Sequence, residues 1–490
     1  MTAIDLPSLT RFADLLGPKG FTTDPDAMAP WLKDWRGRYE GAAAALLSPA
    51  DADQVAAVVR LAGALGIALV PQGGNTSMVG GATPPATGNA MILSLRRMNA
   101  IRSIAAEDGV VVAEAGVILA HLHDAVLEHG MRFPLTLGGK GSATVGGLVS
   151  TNAGGTQVLR FGTMRALTLG IEAVLPDGSR FDGLSPLKKD NRGYDLKHLL
   201  IGAEGTLGII TAASLKLVPA ILDRAVGWIG VETPHQALAL LRFMEARAAD
   251  AQEGFEIVPA DSLALVLKHI PGTRAPLQGT HPWHVLVEMV RSDARAEASG
   301  AVLEQILGDA LTAGLCRDAT IAASEAQAEA FWKLRDSLSE AERASGPAVQ
   351  HDISVPVSGM PDFMISAARD VEARFVGTRA SAFGHLGDGN VHFHVRAPED
   401  AALDWAKTAG KAVSAYVHDL VVAAGGSISA EHGIGQMKLE ENARLSDPAR
   451  LMALSAIKAA FDPKGLMNPG KLVLPGGLAQ ESLATRAPAP

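Results

Sequence analysis

The chain has 490 residues, 48% of them apolar and 19% charged, which gives length for about two to four domains and too apolar a character for disorder. A formal net charge of −9 without a basic cluster argues against nucleic-acid binding. The single cysteine, Cys316, rules out an intrachain disulfide framework and any cysteine-based zinc or iron–sulfur site. Met1–Gly17 carries Asp5, Arg11 and Asp14 and lacks the basic start and apolar core of a secretory signal. No apolar run reaches the roughly 18 residues that a membrane span needs. The expected location is cytoplasmic.

The predicted elements begin with a helix from Asp51 to Gly66, with Val55, Val58, Val59 and Ala62 on one face. A buried strand, Ile67–Pro71, leads into the first of several glycine-rich segments, and further strands are expected at Met91–Leu95, Val110–Ala115 and Leu169–Leu175. No G-x-G-x-x-G strand–turn–helix unit is present, which disfavours a Rossmann fold. After the strand Ala213–Val218 the texture changes. Glycine thins, and strands such as Trp283–Val290 alternate with long helices predicted at Ser324–Ala344 and Ala401–Ala424. The expected division is an N-terminal helical segment (1–36), a ligand-binding domain (37–220), a second domain (221–445), a C-terminal segment (446–474) and a disordered tail (475–490).

Three constellations in the first half carry chemistry. Pro71-Gln-Gly-Gly-Asn-Thr-Ser-Met-Val-Gly-Gly81 has the glycines (Gly73, Gly74, Gly80) for an anion nest at a strand exit. Gln72, Asn75, Thr76 and Ser77 add polar side chains suited to a diphosphate. Leu137-Gly-Gly-Lys-Gly-Ser142 (with Gly138 and Gly141), Gly147, and Asn152-Ala-Gly-Gly155 (with Gly154) form small-residue surfaces against which a flat ligand lies, Ser142 and Asn152 reaching its polar edges. In Ile201-Gly-Ala-Glu-Gly-Thr-Leu-Gly-Ile-Ile-Thr211, Glu204 stands among glycines ahead of Gly208, Ile209 and Ile210; it either caps a turn or receives a ligand hydrogen bond.

In this order the motifs resemble vanillyl-alcohol-oxidase-type flavoproteins, and within them the D-2-hydroxyglutarate, D-lactate and glycolate dehydrogenase branch. The similarity runs from about Asp34 to Leu474. It implies an α+β protein in which two α/β subdomains grip FAD, a substrate domain carries an antiparallel sheet, and a C-terminal segment around Asn468 returns to the flavin. Some relatives attach FAD through a histidine in the first loop. None lies between Pro71 and Pro84, so noncovalent FAD is expected.

The second domain holds Gly384-His-Leu-Gly-Asp-Gly-Asn-Val-His392, with His385 expected in a glycine-rich turn and His392 on the next strand. Ser427-Ile-Ser-Ala-Glu-His-Gly-Ile-Gly435 sets a carboxylate beside an imidazole. Two histidines and a carboxylate suit zinc or manganese. Alternation puts His394 on the same strand face as His392, and chemistry alone does not choose between them. The resemblance implies His385, His392 and Glu431 as metal ligands and His432 as catalytic base. It also implies that Arg335, with Ser339 one turn on along the predicted helix, holds the substrate carboxylate; Asn390 is a further substrate candidate. One departure stands out: relatives often carry lysine two positions before the Asp352-Ile-Ser-Val-Pro356 aspartate, where this chain has Gln350. That weakens the case for a second, distal substrate carboxylate. The expected activity is FAD- and metal-dependent oxidation of a D-2-hydroxy acid, passing electrons to an electron-transfer flavoprotein or quinone carrier, with a homodimer among the expected assemblies. A metal-free alkyl-phosphate synthase on the same scaffold would not need His385, His392 and Glu431 together. An inactive flavin-binding subunit would usually have lost the Glu431-His432 pair.

Overall fold

The computed structural model describes residues 4–187, 189–248 and 251–474, so the tail expected at 475–490 lies outside the described residues. Two compact units result: one from Met1–Gly155, Phe161–Pro219 and the chain from Glu431 onward, the other from Thr156–Arg160 and Ala220–Ala430. The chain thus rejoins the first unit at Glu431 rather than at 446.

In the first unit, the helix Ala52–Leu65 starts where the Asp51 side chain accepts from the Gln54 amide and stops at Gly66, whose φ of 67° suits glycine. Its apolar face (Val55, Val58, Val59, Ala62) is buried. It connects Leu46–Leu47 to Ala68–Gln72, both of which pair in parallel with Ala90–Ser94, as short parallel strands joined by a crossover helix must. A second sheet of five strands, in the order Ile101–Ala105, Val110–Glu114, Ile209–Lys216, Thr168–Val174, Arg180–Gly183, is antiparallel throughout. The C-terminal helix Pro448–Phe461 is capped by Asp447 and has proline in its first turn. Beyond it the chain returns to the first sheet, where the Asn468 amide donates to the Leu69 carbonyl at 2.8 Å.

The second unit is built on a seven-stranded antiparallel sheet. Its strands are β1 (Asp223–Val231), β2 (Gln252–Pro259), β3 (Trp283–Arg291), β4 (Asp318–Ile321), β5 (Ala348–Ser354), β6 (Arg379–His385) and β7 (Asn390–Arg396), in the spatial order β4-β1-β3-β2-β6-β7-β5. Register and the period-two alternation of side chains sort its residues. Ile229, Val285, Ile257, Val391 and Ile353 lie on one face, within the main apolar core. Glu256, His385, Asn390, His392, His394, Gln350 and Asp352 share the other.

Three sequence expectations are corrected. The predicted helix Ser324–Ala344 is two helices, Glu325–Asp336 and Leu338–Ala344, meeting at Ser337; there the N–H is shared between the Lys333 and Arg335 carbonyls and ψ is −4°, so the regular ladder lapses. The helix predicted from Ala401 starts at Ala409, after a single tight turn at Trp405–Lys407. His385 is the last residue of β6 rather than part of the turn. Among the described residues no helix is long and apolar enough to cross a membrane.

Candidate active site

The first unit assembles its glycine-rich loops by backbone contact. Gly73 and Gly74 leave the strand Ala68–Gln72 against the segment Ser142–Thr144, and a methyl group on Gly74 would overlap the Ser142 carbonyl. A methyl on Gly155 would likewise overlap the Thr136 carbonyl. Gly138 and Gly141 instead face open space, Gly154 is buried, and Gly147 sits in the short helix Val145–Thr151. Leu137 packs on the core beneath, and Ile209 and Ile210 open a buried strand behind Gly208.

Several polar side chains expected to meet a ligand are occupied within the protein. The Asn75 amide donates to the carbonyls of Lys33 (2.8 Å) and Pro30 (3.3 Å). Ser77 Oγ accepts from the Gly81 amide at 3.1 Å. Asn152, at φ 50°, accepts from the Arg165 amide and ends the helix Val145–Thr151. Thr76 lies beside Gly139. Gln72 Nε2 donates to the Trp31 and Ala82 carbonyls, while its Oε1 is buried without a hydrogen-bond partner among the described residues; the same holds for Thr144 Oγ1 and Asn468 Oδ1. Buried polar atoms of this kind are costly unless a further partner meets them. Three of them beside backbone that glycine leaves bare are what a flavin nucleotide with many polar edges requires, and the site fits FAD on that ground.

The Glu204 carboxylate is engaged within the protein: Oε1 accepts from the Ile434 amide and Oε2 from the Gly435 amide, each at 2.8 Å. The residue is buried at φ 52°, and its carbonyl accepts from Asn468 Nδ2 at 2.7 Å. Burial pushes its carboxyl above the usual range, with the two amides working against that. Glu204 therefore grips the segment that follows His432, and the signal for this, a donor pair 230 residues downstream, is invisible in local sequence.

In the second unit, β6 and β7 form a hairpin that brings the rings of His385 and His392 to 5.5 Å centroid separation. Opposite His385 in register on β2 lies Glu256, a residue the sequence motifs did not pick out. Its side chain is 1% exposed. Oε1 meets His385 Nδ1 at 2.5 Å and Oε2 accepts from Arg335 Nε at 2.9 Å. Burial works against the charge on Glu256, yet the Arg335 guanidinium and the His385 imidazole hold its carboxyl down at about 2. The outer Nη2 of Arg335 comes within 3.0 Å of His385 Nε2. Asn390 opens β7 and donates to Asp352 Oδ1 and the Ile353 carbonyl, both at 2.9 Å, leaving a buried Oδ1 without a hydrogen-bond partner among the described residues. Ser339 lies beyond the break at Ser337, on the second helix, where its carbonyl accepts from Gln350 Nε2 at 3.3 Å. The second unit ends at Ala430, whose amide approaches the Asp352 carbonyl at 3.4 Å. Glu431 follows one peptide bond later and His432 after it, both partly exposed.

The chain matches two family models: FAD binding domain over residues 43–182, and FAD linked oxidases, C-terminal domain, over residues 223–472. It is 37% identical over 474 residues to a mitochondrial D-2-hydroxyglutarate dehydrogenase of Bos taurus, covering 96% of this chain and 83% of the relative. With the mitochondrial D-2-hydroxyglutarate dehydrogenase of Arabidopsis thaliana it shares 35% over 481 residues, covering 97% and 83%. Among solved structures, p-cresol methylhydroxylase with substrate bound superposes with a TM-score of 0.72 at 17% identity, covering 95% of this chain and 96% of that one, which establishes the vanillyl-alcohol-oxidase-type α+β fold. A full-length match to both halves of this architecture, on loops that suit FAD, leads to one conclusion: the chain belongs to the FAD-linked oxidase family and is an FAD-linked oxidoreductase.

Proposed function

We propose that the chain oxidises a D-2-hydroxy acid, D-2-hydroxyglutarate or a close analogue such as D-malate or D-lactate, to the 2-oxo acid, using noncovalent FAD and a divalent cation, zinc ahead of manganese. The observation that carries this reading is the meeting of Arg335 with His385, beside His392, on one face of the sheet. A carboxylate-binding guanidinium next to two imidazoles suits a substrate that offers a carboxylate and a hydroxyl on adjacent carbons. The names of the two dehydrogenase relatives point to the same class of acid.

His385, His392 and Glu431 are the residues proposed to hold the cation, which when bound supplies a Lewis acid that makes the substrate hydroxyl easier to ionise. FAD, when bound, would supply a two-electron acceptor for hydride from the substrate Cα. Arg335 binds the C1 carboxylate and fixes which face of Cα is presented. His432 accepts the hydroxyl proton, a task suited to an imidazole near neutral pH. Ser339 and Asn390 are proposed as further substrate contacts, the latter through Oδ1. Gln350 stands in register beside His394 and carries no charge for a distal carboxylate. An electron-transfer flavoprotein or quinone carrier is proposed as acceptor on the family resemblance alone. The mitochondrial names of the relatives lend no support to the cytoplasmic location expected from the sequence.

The test is anaerobic mixing of the flavin-loaded protein with a panel of D- and L-2-hydroxy acids, followed at the flavin absorbance. Bleaching by one or more D-acids and by none of their L-enantiomers is the expected result. Equal bleaching by both series, or by neither, would overturn the substrate assignment.

A further inference from the structure

We infer that Glu256 is a positioning residue that serves two partners at once: it fixes the His385 tautomer that keeps the ring's lone pair on Nε2, the atom proposed to meet a cation, and it anchors Arg335 for the substrate carboxylate. The inference rests on the function proposed above. Glu256 is buried on the polar face of the sheet, and its in-register neighbours on β3 and then β1 are the apolar Leu286 and Trp228. Each of its oxygens is engaged by a different residue, Oε1 by His385 and Oε2 by Arg335. An ionised carboxylate only accepts hydrogen bonds, so the His385 nitrogen it meets, Nδ1, must carry the proton. In the neutral ring Nε2 then holds the lone pair, and Nε2 is the nitrogen turned toward Arg335 Nη2. A carboxylate on the far nitrogen of a histidine is the usual means of orienting a metal ligand.

Arg335 is held by the same group through Nε, which pivots its side chain beside His385, where Nη2 lies 3.0 Å from Nε2. One buried carboxylate thereby couples the grip on the cation to the grip on the substrate. Asp388 and Asp336 add negative charge nearby, but burial pushes both carboxyls up.

The test uses full-length, flavin-loaded protein stripped of metal and titrated with zinc ion against a chromophoric chelator. Glu256→Gln keeps the shape but presents an NH2 to one partner; placed on His385, that NH2 demands an acceptor at Nδ1 and moves the proton to Nε2. Zinc affinity is expected to fall about 10- to 100-fold with flavin content unchanged, and KM for the best hydroxy acid to rise together with the weaker zinc binding. Glu256→Asp retains an acceptor for His385 with a shorter reach and is expected to recover part of the zinc affinity. If Glu256→Gln does not fold, Glu256→Asp alone decides, through zinc binding weaker than wild type but tighter than that of His385→Ala. Zinc affinity and KM equal to wild type in either folded variant would overturn the inference while leaving the proposed function intact. Wild-type protein that binds zinc no more tightly than His385→Ala would overturn the metal assignment itself, and the inference with it.

Discussion

The two units build their sites from different materials. The first uses backbone: glycines bring loops together so closely that a single methyl at Gly74 has no room, and polar side chains such as Asn75 and Asn152 are spent holding those loops. The second uses side chains, lifted from one face of a twisted sheet and paired across strands. Their buried glutamates show the contrast. Glu204 is met by two backbone amides and feels the charges of Lys438 and Lys471, yet burial wins, pushing its carboxyl up. Glu256 is also buried but paired directly with Arg335 and His385, and charge wins, holding it at about 2. Identical side chains in dry places are driven in opposite directions according to whether the surrounding charge and hydrogen bonds outweigh burial.

The largest expected effect belongs to His432→Ala, in the segment where the chain rejoins the first unit. Removing the proposed general base is expected to slow flavin reduction by about 10²- to 10⁴-fold while the flavin stays bound, measured by anaerobic stopped flow. Retention of the wild-type rate would remove His432 from the chemistry.

A site made of side chains on a polar sheet face should also be the more acid-sensitive. His284, on that face of β3, has a buried Nδ1 without a hydrogen-bond partner among the described residues, and burial, with His281 adding to it, holds its pKa down at about 4 from an ordinary 6.5. The unfolded chain therefore binds the proton more readily than the folded one. The stability this contributes is present above pH 6.5 and is lost as pH falls toward 4, at most roughly 3 kcal/mol. His284→Leu is expected to flatten that limb of the denaturation profile between pH 6.5 and 4; an unchanged slope would refute the assignment.

Gly74→Ala sharpens the comparison from the other side. Overpacking at the Ser142 carbonyl is expected to cost about 1–3 kcal/mol and to show as lost flavin content, with the secondary structure retained by circular dichroism. Full flavin occupancy would mean that the loops are not held by close backbone approach. A smaller effect is expected from Glu204→Gln, which keeps one acceptor oxygen for two amides and should lower thermal stability by about 1–2 kcal/mol; an unchanged melting temperature would argue against the grip on Ile434 and Gly435.

Much of the first unit was legible because its signals are local. The helix from Asp51 to Gly66 announces both caps, and the parallel strands fall where apolar runs meet glycine. The pairing of His385 with His392 was legible as well, since seven residues separate them across a hairpin. What escaped was fixed by distance in sequence. Glu256 reads as one acid in an apolar strand, and only its register against a strand 129 residues later gives it a role. Glu204 was ambiguous for the same reason. The break at Ser337 escaped because helical periodicity continues through it: Leu334 and Leu338 are both buried on either side. Asn75 and Ser77 look like ligand donors by type, and only the folded loop reveals that they also hydrogen-bond within the protein.

The measurement that bears most directly on the proposed joint use of flavin and a divalent cation is chelation of the flavin-loaded protein, followed by anaerobic mixing with D-2-hydroxyglutarate or whichever D-acid bleaches it fastest. The predicted result is full retention of flavin, bleaching abolished by the chelator, and bleaching restored by zinc or manganese. Undiminished bleaching in protein shown to be free of metal would contradict the account.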